Sequence, residues 1–311
     1  MKKFLLIIFL SLLFSGCTSP KNFERSEILM GTVVTLKAEG KNSQVAVEES
    51  FNRIAELEKN IFVDVKKIED AAGVEFVKIS PDVYKILETA QKFSKLTDGA
   101  FDVTIGAAVE LWAIGTKNPR VPTNDELAAV KNFVGFKHLH LRNGAAYLDK
   151  RGVKINLGGV AKGYGVDLAR KIFDEHSITS GLIDFGTSTI FAVGKKKIGI
   201  KNPRADEISE IIELENSALS TSGDYEKFFI VEGRRYHHII DPKTCTPAEN
   251  ENFSVSVLVD GKEKNCAMVA DILSTAAFVL GKERLEKILT ENNLTSDENF
   301  QSHFRIYSLK S

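Results

Sequence analysis

The sequence predicts an α+β fold, because helical and strand-like segments alternate irregularly along its 311 residues. Some segments repeat apolar residues at the spacing of an amphipathic helix, and others are short runs rich in β-branched and aromatic residues. Their order does not follow the regular strand–helix–strand repeat of a parallel sheet. Since no internal repeat and no long low-complexity linker interrupts the chain, we expect one compact unit that could comprise two lobes.

The first half of the chain is predicted to be mainly helical. Gly31–Ala38 is rich in Thr and Val and predicts a strand. Helical spacing then joins Val47, Phe51, Ile54, Leu57 and Ile61. Ser80 followed by Pro81 is typical of an N-cap and the first position of a helix. Thr123 and Glu126 have the spacing of a capping box, which predicts a shorter helix from Thr123.

Strand-like runs dominate from Gly152 onward. The predicted strands are Val153–Asn156, Gly181–Phe185, Thr189–Val193, Lys197–Ile200, Phe228–Val231, Tyr236–Ile240 and Phe253–Val259. Two predicted helices, Ala161–Phe173 and Ala270–Leu280, interrupt them. The second should end at Gly281, because glycine readily adopts the left-handed conformation that often follows a helix.

The amino terminus has the features of an export signal. A basic start, Lys2-Lys3, precedes an uncharged apolar run over residues 4–14, too short to remain as a membrane-spanning helix. The following Ser-Gly-Cys sequence resembles a bacterial lipobox. It predicts that residues 1–16 are removed, that Cys17 is acylated, and that residues 17–27 form a lipidated tether. Ordinary export with a chance cysteine is the alternative.

Charge and cysteine content argue against a nucleic-acid-binding protein and against a small protein held together by disulfides. The 41 basic and 42 acidic residues leave a mature net charge near −3 after Lys2 and Lys3 are removed, which gives no general attraction to nucleic acid. After Cys17 only Cys245 and Cys266 remain. They could pair in an oxidising compartment, but they are too few for a disulfide framework.

A first candidate site segment spans Thr97–Gly106. It combines an Asp-Gly pair with Ala100, Phe101, Asp102 and a second glycine. Such a composition suits a loop that closely approaches a ligand. Considered alone, the segment also fits an ordinary turn into a strand.

A second segment, Asn156–Tyr164, contains the pair Gly158-Gly159 between a predicted strand and a predicted helix. Paired glycines let backbone N–H groups point at an anion, and the helix N-terminus adds a partial positive charge. Lys162 lies on the first helical turn, where a cation is useful beside a phosphate. A tight strand-to-helix turn without a ligand is the alternative.

A third segment contains Asp224 and, further on, His237 and His238. A histidine near neutral pH can take a proton from a hydroxyl group. Consecutive residues of a strand point to opposite faces, so at most one of the two histidines can face a given pocket, and alternation does not choose between them. A hydrogen-bonded structural histidine is the alternative.

The last segment, Ala270–Thr275, places Asp271 and Thr275 four residues apart, on one face of a helix. A carboxylate, a hydroxyl and a nearby carbonyl oxygen are hard ligands that suit Mg²⁺ beside a phosphate. Without that context, Asp271 is only a favourable acid at a helix N-terminus.

Together these segments resemble the ApbE family, the FAD:protein FMN transferases of bacterial envelopes. The motifs that carry the resemblance occur in the family's order over residues 30–281, nearly the whole mature chain. They are Met30-Gly31-Thr32, Thr97–Gly106 with Leu111-Trp112, Leu157–Tyr164 with Asp167, Leu182-Ile183-Asp184, Thr221–Glu226, His238–Thr244 and Ala270–Ala276.

The resemblance implies a two-lobed, T-fold-related α+β domain over residues 28–311, with FAD in the central cleft. It implies a Mg²⁺-dependent reaction that moves FMN from FAD to a threonine of an acceptor protein and releases AMP. The family's target pattern is Asp, two residues, Ser or Thr, one residue, then Ala-Thr. The usual acceptors are subunits of membrane electron-transfer complexes, on the periplasmic side of the envelope, with the inner membrane favoured for the lipid anchor.

The resemblance also implies the roles of individual residues. His238 accepts the threonine proton, and Asp224 helps to orient the site. The residues implied in FAD binding are Met30, Ala100, Phe101, Asp102, Asn156, Lys162 and Thr246. The residues implied in Mg²⁺ binding are Gly159 through its carbonyl, Asp271, Thr275 and Ser274.

The sequence departs from the family at several positions. Asn156 stands where an aspartate is usual, which removes a charge near the phosphates. Gly186-Thr187-Ser188 replaces a usual Gly-Gly-Asn. Cys245 replaces a usual glycine and would cost about 1 kcal/mol or more if its φ is positive. Phe62 is a guess for the aromatic residue that stacks on the flavin.

Three other functions fit the same residues. A Mg²⁺-dependent FAD pyrophosphatase would use the same cleft with water as the acceptor, giving FMN and AMP. A non-catalytic flavin-binding lipoprotein would explain Asn156. A structural envelope protein would explain the export signal but not the ordered motifs.

Overall fold

A computed structural model of the chain describes residues 22–186, 188–249, 251–292 and 304–310. These residues form a mixed structure of helices and antiparallel strands, which confirms the predicted α+β class. The predicted signal sequence, the acylation site Cys17 and the start of the predicted tether lie outside the described residues. Within those ranges, no helix is both long and apolar enough to cross a membrane.

Strands occur throughout the described residues, with helices between some of them. In order they are β1 (Asn22–Leu29), β2 (Thr32–Glu39), β3 (Val77–Lys78), β4 (Leu139–Arg142), β5 (Ala145–Leu148), β6 (Ser180–Phe185), β7 (Thr189–Lys201), β8 (Ile208–Gly223), β9 (Phe228–Val231), β10 (Arg234–His237), β11 (Ile240–Asp241), β12 (Thr246–Pro247), β13 (Asn252–Asp260) and β14 (Phe304–Lys310). Seven of them form one antiparallel sheet in the order β1-β2-β6-β7-β8-β13-β14. The others form β3-β5-β4 and two small hairpins, β9-β10 and β11-β12.

Helices cover one face of the large sheet. In chain order they are α1 (Ser43–Asp70), α2 (Pro81–Leu96), α3 (Gly106–Trp112), α4 (Asn124–Val130), α5 (Ala161–Glu175), α6 (Cys266–Leu280) and α7 (Lys282–Glu291). Two short 3₁₀ helices follow α4. Of these helices, α1, α5 and α6 pack on the large sheet. Alternate residues of β2, such as Val34 and Leu36, are fully buried beneath α1, whereas Val33 is half exposed. This period-2 pattern fixes which face of the sheet the helices cover.

Local signals in the sequence agree with most elements. The capping box at Thr123 and Glu126 is present, α2 begins at Pro81, and α6 ends before Gly281, whose φ is +83°. The predicted strand Val153–Asn156 is wrong, because only one isolated bridge, from Lys154 to Ile105, forms there.

Three further expectations need correction. Residues 22–27, which were predicted to belong to a tether, lie in β1. The segment Thr97–Gly106 leads into α3 and not into a strand. The predicted strand Tyr236–Ile240 is interrupted at His238, between β10 and β11.

Both described cysteines are free and buried. Cys245 has a φ of +59°, so the cost of about 1 kcal/mol or more that we expected for a cysteine at positive φ applies here. Its side chain packs in a small core with Trp112, whose Nε1–H donates to the Cys245 carbonyl at 2.8 Å. Burial raises the pKa of the Cys245 thiol to about 11, so the thiol is protonated and packs as a small apolar group.

Candidate active site

The glycine turn before α5 lies directly against α6. A Cβ built at Gly159 would be 2.8 Å from Thr275 Oγ1 and 3.2 Å from the Phe101 ring, so only glycine fits without displacing these groups. About one helical turn further along the chain, the Gly163 N–H donates to Asp271 Oδ2 at 3.0 Å. We expected Gly159 and Asp271 to share one site, and the structure places the Gly159 turn against α6, the helix that carries Asp271, although the two residues are 112 positions apart.

Asp271 is a buried carboxylate surrounded by hydroxyl and amide groups. Ser220 Oγ donates to its Oδ1 at 3.4 Å, and Thr189 is a further hydroxyl donor. Burial raises the pKa of Asp271, although Lys162 and these hydrogen bonds act in the opposite direction. Because α6 begins at Cys266, Asp271 lies in the second turn, so a simple role as an acid at the helix N-terminus does not explain it.

The two hydroxyl residues that follow on α6 turn towards β8. Ser274 Oγ and Thr275 Oγ1 donate to the Asp271 carbonyl at 3.0 and 3.2 Å. They also lie 2.9 and 3.3 Å from Ser222 Oγ. Ser274 is fully buried, whereas Thr275 also touches the glycine turn.

The donors around Gly159 fit a hard cation. The described residues contain no cluster of three or more His, Cys, Asp or Glu side chains suited to a metal ion. A cation here would therefore use one carboxylate, from Asp271, with oxygen atoms from Thr275 and the Gly159 carbonyl. Its charge would offset the cost of burying the ionised Asp271, which forms no salt bridge among the described residues.

Asn156 and Lys162 both form hydrogen bonds with the backbone of the glycine turn. Asn156 Oδ1 accepts the Gly158 N–H at 2.9 Å, and the Asn156 N–H donates to the Val103 carbonyl at 2.7 Å. Lys162 Nζ donates to the Gly158 carbonyl at 3.2 Å. An aspartate at position 156 could accept the same N–H, so the asparagine keeps the turn and removes only the charge.

Met30 occupies a strained position beside this turn. It forms a two-residue hairpin turn with Gly31, with φ values of +52° and +72°. Its N–H donates to Glu58 Oε1 at 2.6 Å. A Cβ at Gly165 of α5 would lie 3.2 Å from the Met30 sulfur. A methionine held at positive φ is uncommon and points to a functional constraint on its side chain.

The loop before α3 supplies the aromatic wall of the site. Ala100 and Phe101 are buried, and the Phe101 ring touches Gly159 as described above. Asp102 Oδ1 accepts the N–H and the hydroxyl of Thr104, both at 2.8 Å. Burial raises the Asp102 pKa. Through these two hydrogen bonds, Asp102 holds the loop that positions Phe101.

Hydrogen bonds distinguish the two histidines. Both ring nitrogens of His237 are occupied, since Nε2 lies 3.0 Å from the Ala248 carbonyl and Nδ1 accepts the Ile239 N–H at 3.3 Å. His238 Nδ1 lies 3.3 Å from the Lys227 carbonyl, which fixes the proton on Nδ1. Burial lowers the pKa of His238 to about 4, and Lys162 contributes to this shift. His238 is therefore neutral at pH 7, with its basic lone pair on Nε2.

Asp224 and Thr246 make their described contacts with groups other than the glycine turn. Asp224 pairs with Arg204, and its Oδ2 is 3.9 Å from Arg235 Nε. It lines a cavity of about 450 Å³ together with His237 and not with His238. Thr246 Oγ1 lies 2.8 Å from Thr244 Oγ1 in the β11-β12 hairpin.

Phe62, the guessed stacking residue, is on α1 and is 73% exposed. The turn Gly186-Thr187-Ser188 is described only in part, since Thr187 lies outside the described residues. Gly186 has a φ of +66°, and a Cβ there would collide with Thr32 Oγ1. Glycine is therefore needed at the first position of that turn.

Comparisons with known proteins follow the same residues. The sequence model of the ApbE family matches residues 30–296, most of the chain and all of the site described above. The chain belongs to the ApbE family.

Individual relatives agree with this assignment. The FAD:protein FMN transferase of Treponema pallidum is 30% identical over 308 residues, covering 89% of this chain and 83% of that protein. The crystal structure of the ApbE protein of Thermotoga maritima matches with a TM-score of 0.80 at 32% identity, covering 93% and 94% of the two chains. The flavin transferase ApbE of Vibrio cholerae matches with a TM-score of 0.77 at 28% identity, covering 92% and 96%. This chain is accordingly an enzyme with the ApbE fold.

Several site residues gave no signal in the sequence. Glu58 Oε1 accepts the Met30 N–H, and Glu69 Oε1 accepts the Ile155 N–H at 2.8 Å, so α1 holds both the Met30 turn and the segment just before Asn156. Ser222 joins the hydroxyl cluster from β8. These contacts are tertiary, and an exposed-looking glutamate on an amphipathic helix gives no hint of them.

Proposed function

We propose that this chain transfers FMN from FAD to a threonine of an acceptor protein, with release of AMP and with Mg²⁺ as cofactor. One observation supports the proposal most directly: the glycine turn at Gly159 lies against Thr275, and the N–H of Gly163, one helical turn later, donates to Asp271. A pyrophosphate bound at this turn and a divalent cation held by α6 would be neighbours. The names of the ApbE relatives agree with this reaction.

The chain's own groups would bind and orient FAD. Backbone N–H groups at the start of α5 and the Lys162 ammonium would face the pyrophosphate. Gly159 through its carbonyl, Asp271 and Thr275 would hold Mg²⁺, with Ser274 supporting Thr275 from behind. The ion would neutralise charge on the pyrophosphate as the phosphoryl group moves.

His238 would accept the proton of the attacking hydroxyl. Its Nδ1–H is held by the Lys227 carbonyl, which leaves Nε2 as the acceptor. The threonine oxygen would form a bond to the FMN phosphorus while the bond from that phosphorus to the AMP phosphate oxygen breaks. The threonine proton would move to Nε2, and AMP would leave with the electron pair of the broken bond.

One assay tests this function against its rivals. The purified protein is incubated with FAD, MgCl₂ and an acceptor carrying the target pattern of Asp, two residues, Ser or Thr, one residue, and Ala-Thr. A fluorescent acceptor band that survives denaturation supports transfer. Free FMN and AMP without that band would instead identify a pyrophosphatase, and unchanged bound FAD would identify a flavin-binding protein.

We propose further that Cys17 is acylated and anchors the domain on the periplasmic side of the envelope, where a membrane electron-transfer subunit would be its acceptor. The basic and apolar start of the sequence supports this location. Labelling with a radioactive fatty acid should mark the wild-type protein and not a Cys17→Ser variant. Equal labelling of both would exclude Cys17 as the acylated residue.

A further inference from the structure

The α6 helix, which carries Asp271 and Thr275, has no N-cap of its own. The first N–H groups of a helix lack partners within it and need a cap. The residue at the N-cap position, Asn265, has a φ of +57° and makes no side-chain capping bond. The Ala267 and Met268 N–H groups donate instead to the two oxygens of Asp167, at 3.1 and 2.8 Å. Asp167 lies on α5, so one helix caps another.

Three consecutive turns of α5 contact the start of α6. At Gly163, a Cβ would be 2.4 Å from the Ala267 carbonyl oxygen, so the two helices approach as closely as their backbones allow. One turn later Asp167 caps α6. One turn after that, Arg170 donates to Cys266 Sγ at 3.2 Å and to the Gly261 carbonyl at 2.7 Å.

This contact sets the position of α6 relative to the glycine turn. The turn at Gly159 leads directly into α5, and Asp271 follows the capped Met268 by three residues. Each residue of a helix adds 1.5 Å and 100°. A displacement of α6 by one residue would therefore move the Asp271 carboxylate away from the Gly163 N–H and Thr275 away from Gly159.

We propose that Asp167 is a positioning residue for the site: by capping α6 from α5 it sets the register in which Asp271 and Thr275 meet the glycine turn. The proposal rests on the proposed function only in assuming that a cation binds at this junction. Asp167 itself is buried, and its hydrogen bonds go to the start of α6. Replacing a residue that orients a metal ligand without binding the metal itself commonly weakens metal affinity tenfold to a hundredfold.

Asp167→Ala tests the proposal, with Glu175→Gln on the exposed end of α5 as the control. Without ligands, hydrogen exchange at the Ala267 and Met268 amides should accelerate in the alanine variant alone. Mg²⁺ is then titrated calorimetrically into each protein in the presence of ADP, a pyrophosphate that carries no FMN. The Mg²⁺ dissociation constant should rise about tenfold or more in Asp167→Ala and stay unchanged in Glu175→Gln.

Asp167→Asn provides a milder variant if the alanine protein fails to fold. Its amide oxygen can accept one of the two N–H groups, so both effects should be intermediate between wild type and alanine. Faster exchange at Ala267 and Met268 with an unchanged Mg²⁺ dissociation constant would overturn the positioning role. If the wild-type protein itself bound no Mg²⁺, the metal assignment would fail instead, and the two failures are thus distinct.

Discussion

Two buried aspartates, Asp224 and Asp271, are surrounded by different groups. Asp224 pairs with Arg204 and lies near Arg235, so its charge is compensated by protein side chains. Asp271 receives only hydroxyl and amide hydrogen bonds, and burial raises its pKa. Burying a carboxylate without a cationic partner costs stability, and such costs concentrate at functional sites. Because Asp271 has only the charge of Lys162 nearby and forms no salt bridge among the described residues, we expect a cation from outside the protein to bind there.

The histidines repeat this contrast. His237, beside Asp224, uses both ring nitrogens to hold the backbone, whereas His238 keeps Nε2 for another partner. Of these two adjacent histidines, His237 thus has a structural role, and His238 is the one that we propose as the proton acceptor. Substitution of Asp224 should therefore lower stability more than transfer activity, and substitution of Asp271 or His238 should lower transfer activity more than stability.

The largest effect is expected for Asp271→Asn. The amide oxygen can accept the Gly163 N–H while the NH₂ group donates to Ser220, so the buried network stays satisfied. The free energy of unfolding without ligands should stay the same or rise, because a buried charge is lost. FMN transfer should fall about 10³-fold or more, since the metal contribution is worth several kcal/mol. Chemical denaturation and the acceptor-band assay measure the two quantities.

Asp174→Asn, an exposed change on α5, is the control for Asp271→Asn and should alter neither quantity. An Asp271→Asn protein that kept wild-type transfer at saturating MgCl₂ would exclude Asp271 as the metal ligand.

His238→Ala should lower transfer by about 10²- to 10⁴-fold, the usual contribution of a general base. The dissociation constant for FAD, followed by flavin fluorescence, should change little. His140→Ala, at a partly exposed histidine outside the site, should leave both unchanged. A loss of FAD affinity as large as the loss of transfer would assign His238 a structural role.

The pH dependence of transfer sharpens the role of His238. A general base must be neutral, and burial lowers the pKa of His238 to about 4, so the neutral form is complete above about pH 5. Between pH 8 and pH 6, kcat/KM for FAD should therefore stay flat. A histidine with the ordinary pKa of about 6.5 would lose about fourfold over that range. Such a loss would show that His238 is not the base in its present environment.

Asp224→Asn should lower the free energy of unfolding and leave transfer nearly unchanged, the opposite of the result expected for Asp271→Asn. Two partly buried arginines would lose their shared carboxylate, which should reduce the free energy of unfolding by about 2 kcal/mol. Transfer by the folded protein should stay within about threefold of wild type. Should transfer fall a hundredfold while the unfolding free energy is unchanged, Asp224 would orient the reacting groups, as the family resemblance implies.

The sequence predicted the parts of this site that local signals encode. Paired glycines just before a predicted helix located the turn at Gly159, and helical spacing placed Asp271 and Thr275 on one face. The true start of α6 was missed because its cap comes from Asp167, about a hundred residues earlier. No local pattern can report a cap that is supplied by another helix.

The 16-residue strand β8 was missed for a different reason. Its alternation of buried and exposed residues is broken where β7 and β8 shift register near Gly194, and Asn216 there has a φ of +45°. A period-2 pattern interrupted by a bulge resembles a loop in sequence. The choice between His237 and His238 also needed the structure, since it depends on carbonyl groups at Ala248 and Lys227.

The smallest predicted effect concerns Met30 and compares two hairpin turns. Asn143-Gly144 connects β4 and β5 with φ values of +51° and +73°, nearly those of Met30-Gly31. Asn-Gly is the favoured pair for a two-residue turn of this kind, and methionine is not. Met30→Asn should therefore raise the free energy of unfolding by about 1 kcal/mol. The dissociation constant for FAD should also rise, because the side chain at the cleft is lost.

Asn143→Met is the matched variant at the second turn. It should lower the free energy of unfolding by a similar amount, about 1 kcal/mol, and leave the FAD dissociation constant unchanged, because the β4-β5 hairpin lies outside the site. Thermal unfolding and flavin-fluorescence titration of both variants measure the effects. If Met30→Asn stabilised the protein without weakening FAD binding, the strained methionine would have no role in the cleft, and the positive φ at Met30 would remain only a local cost of the turn.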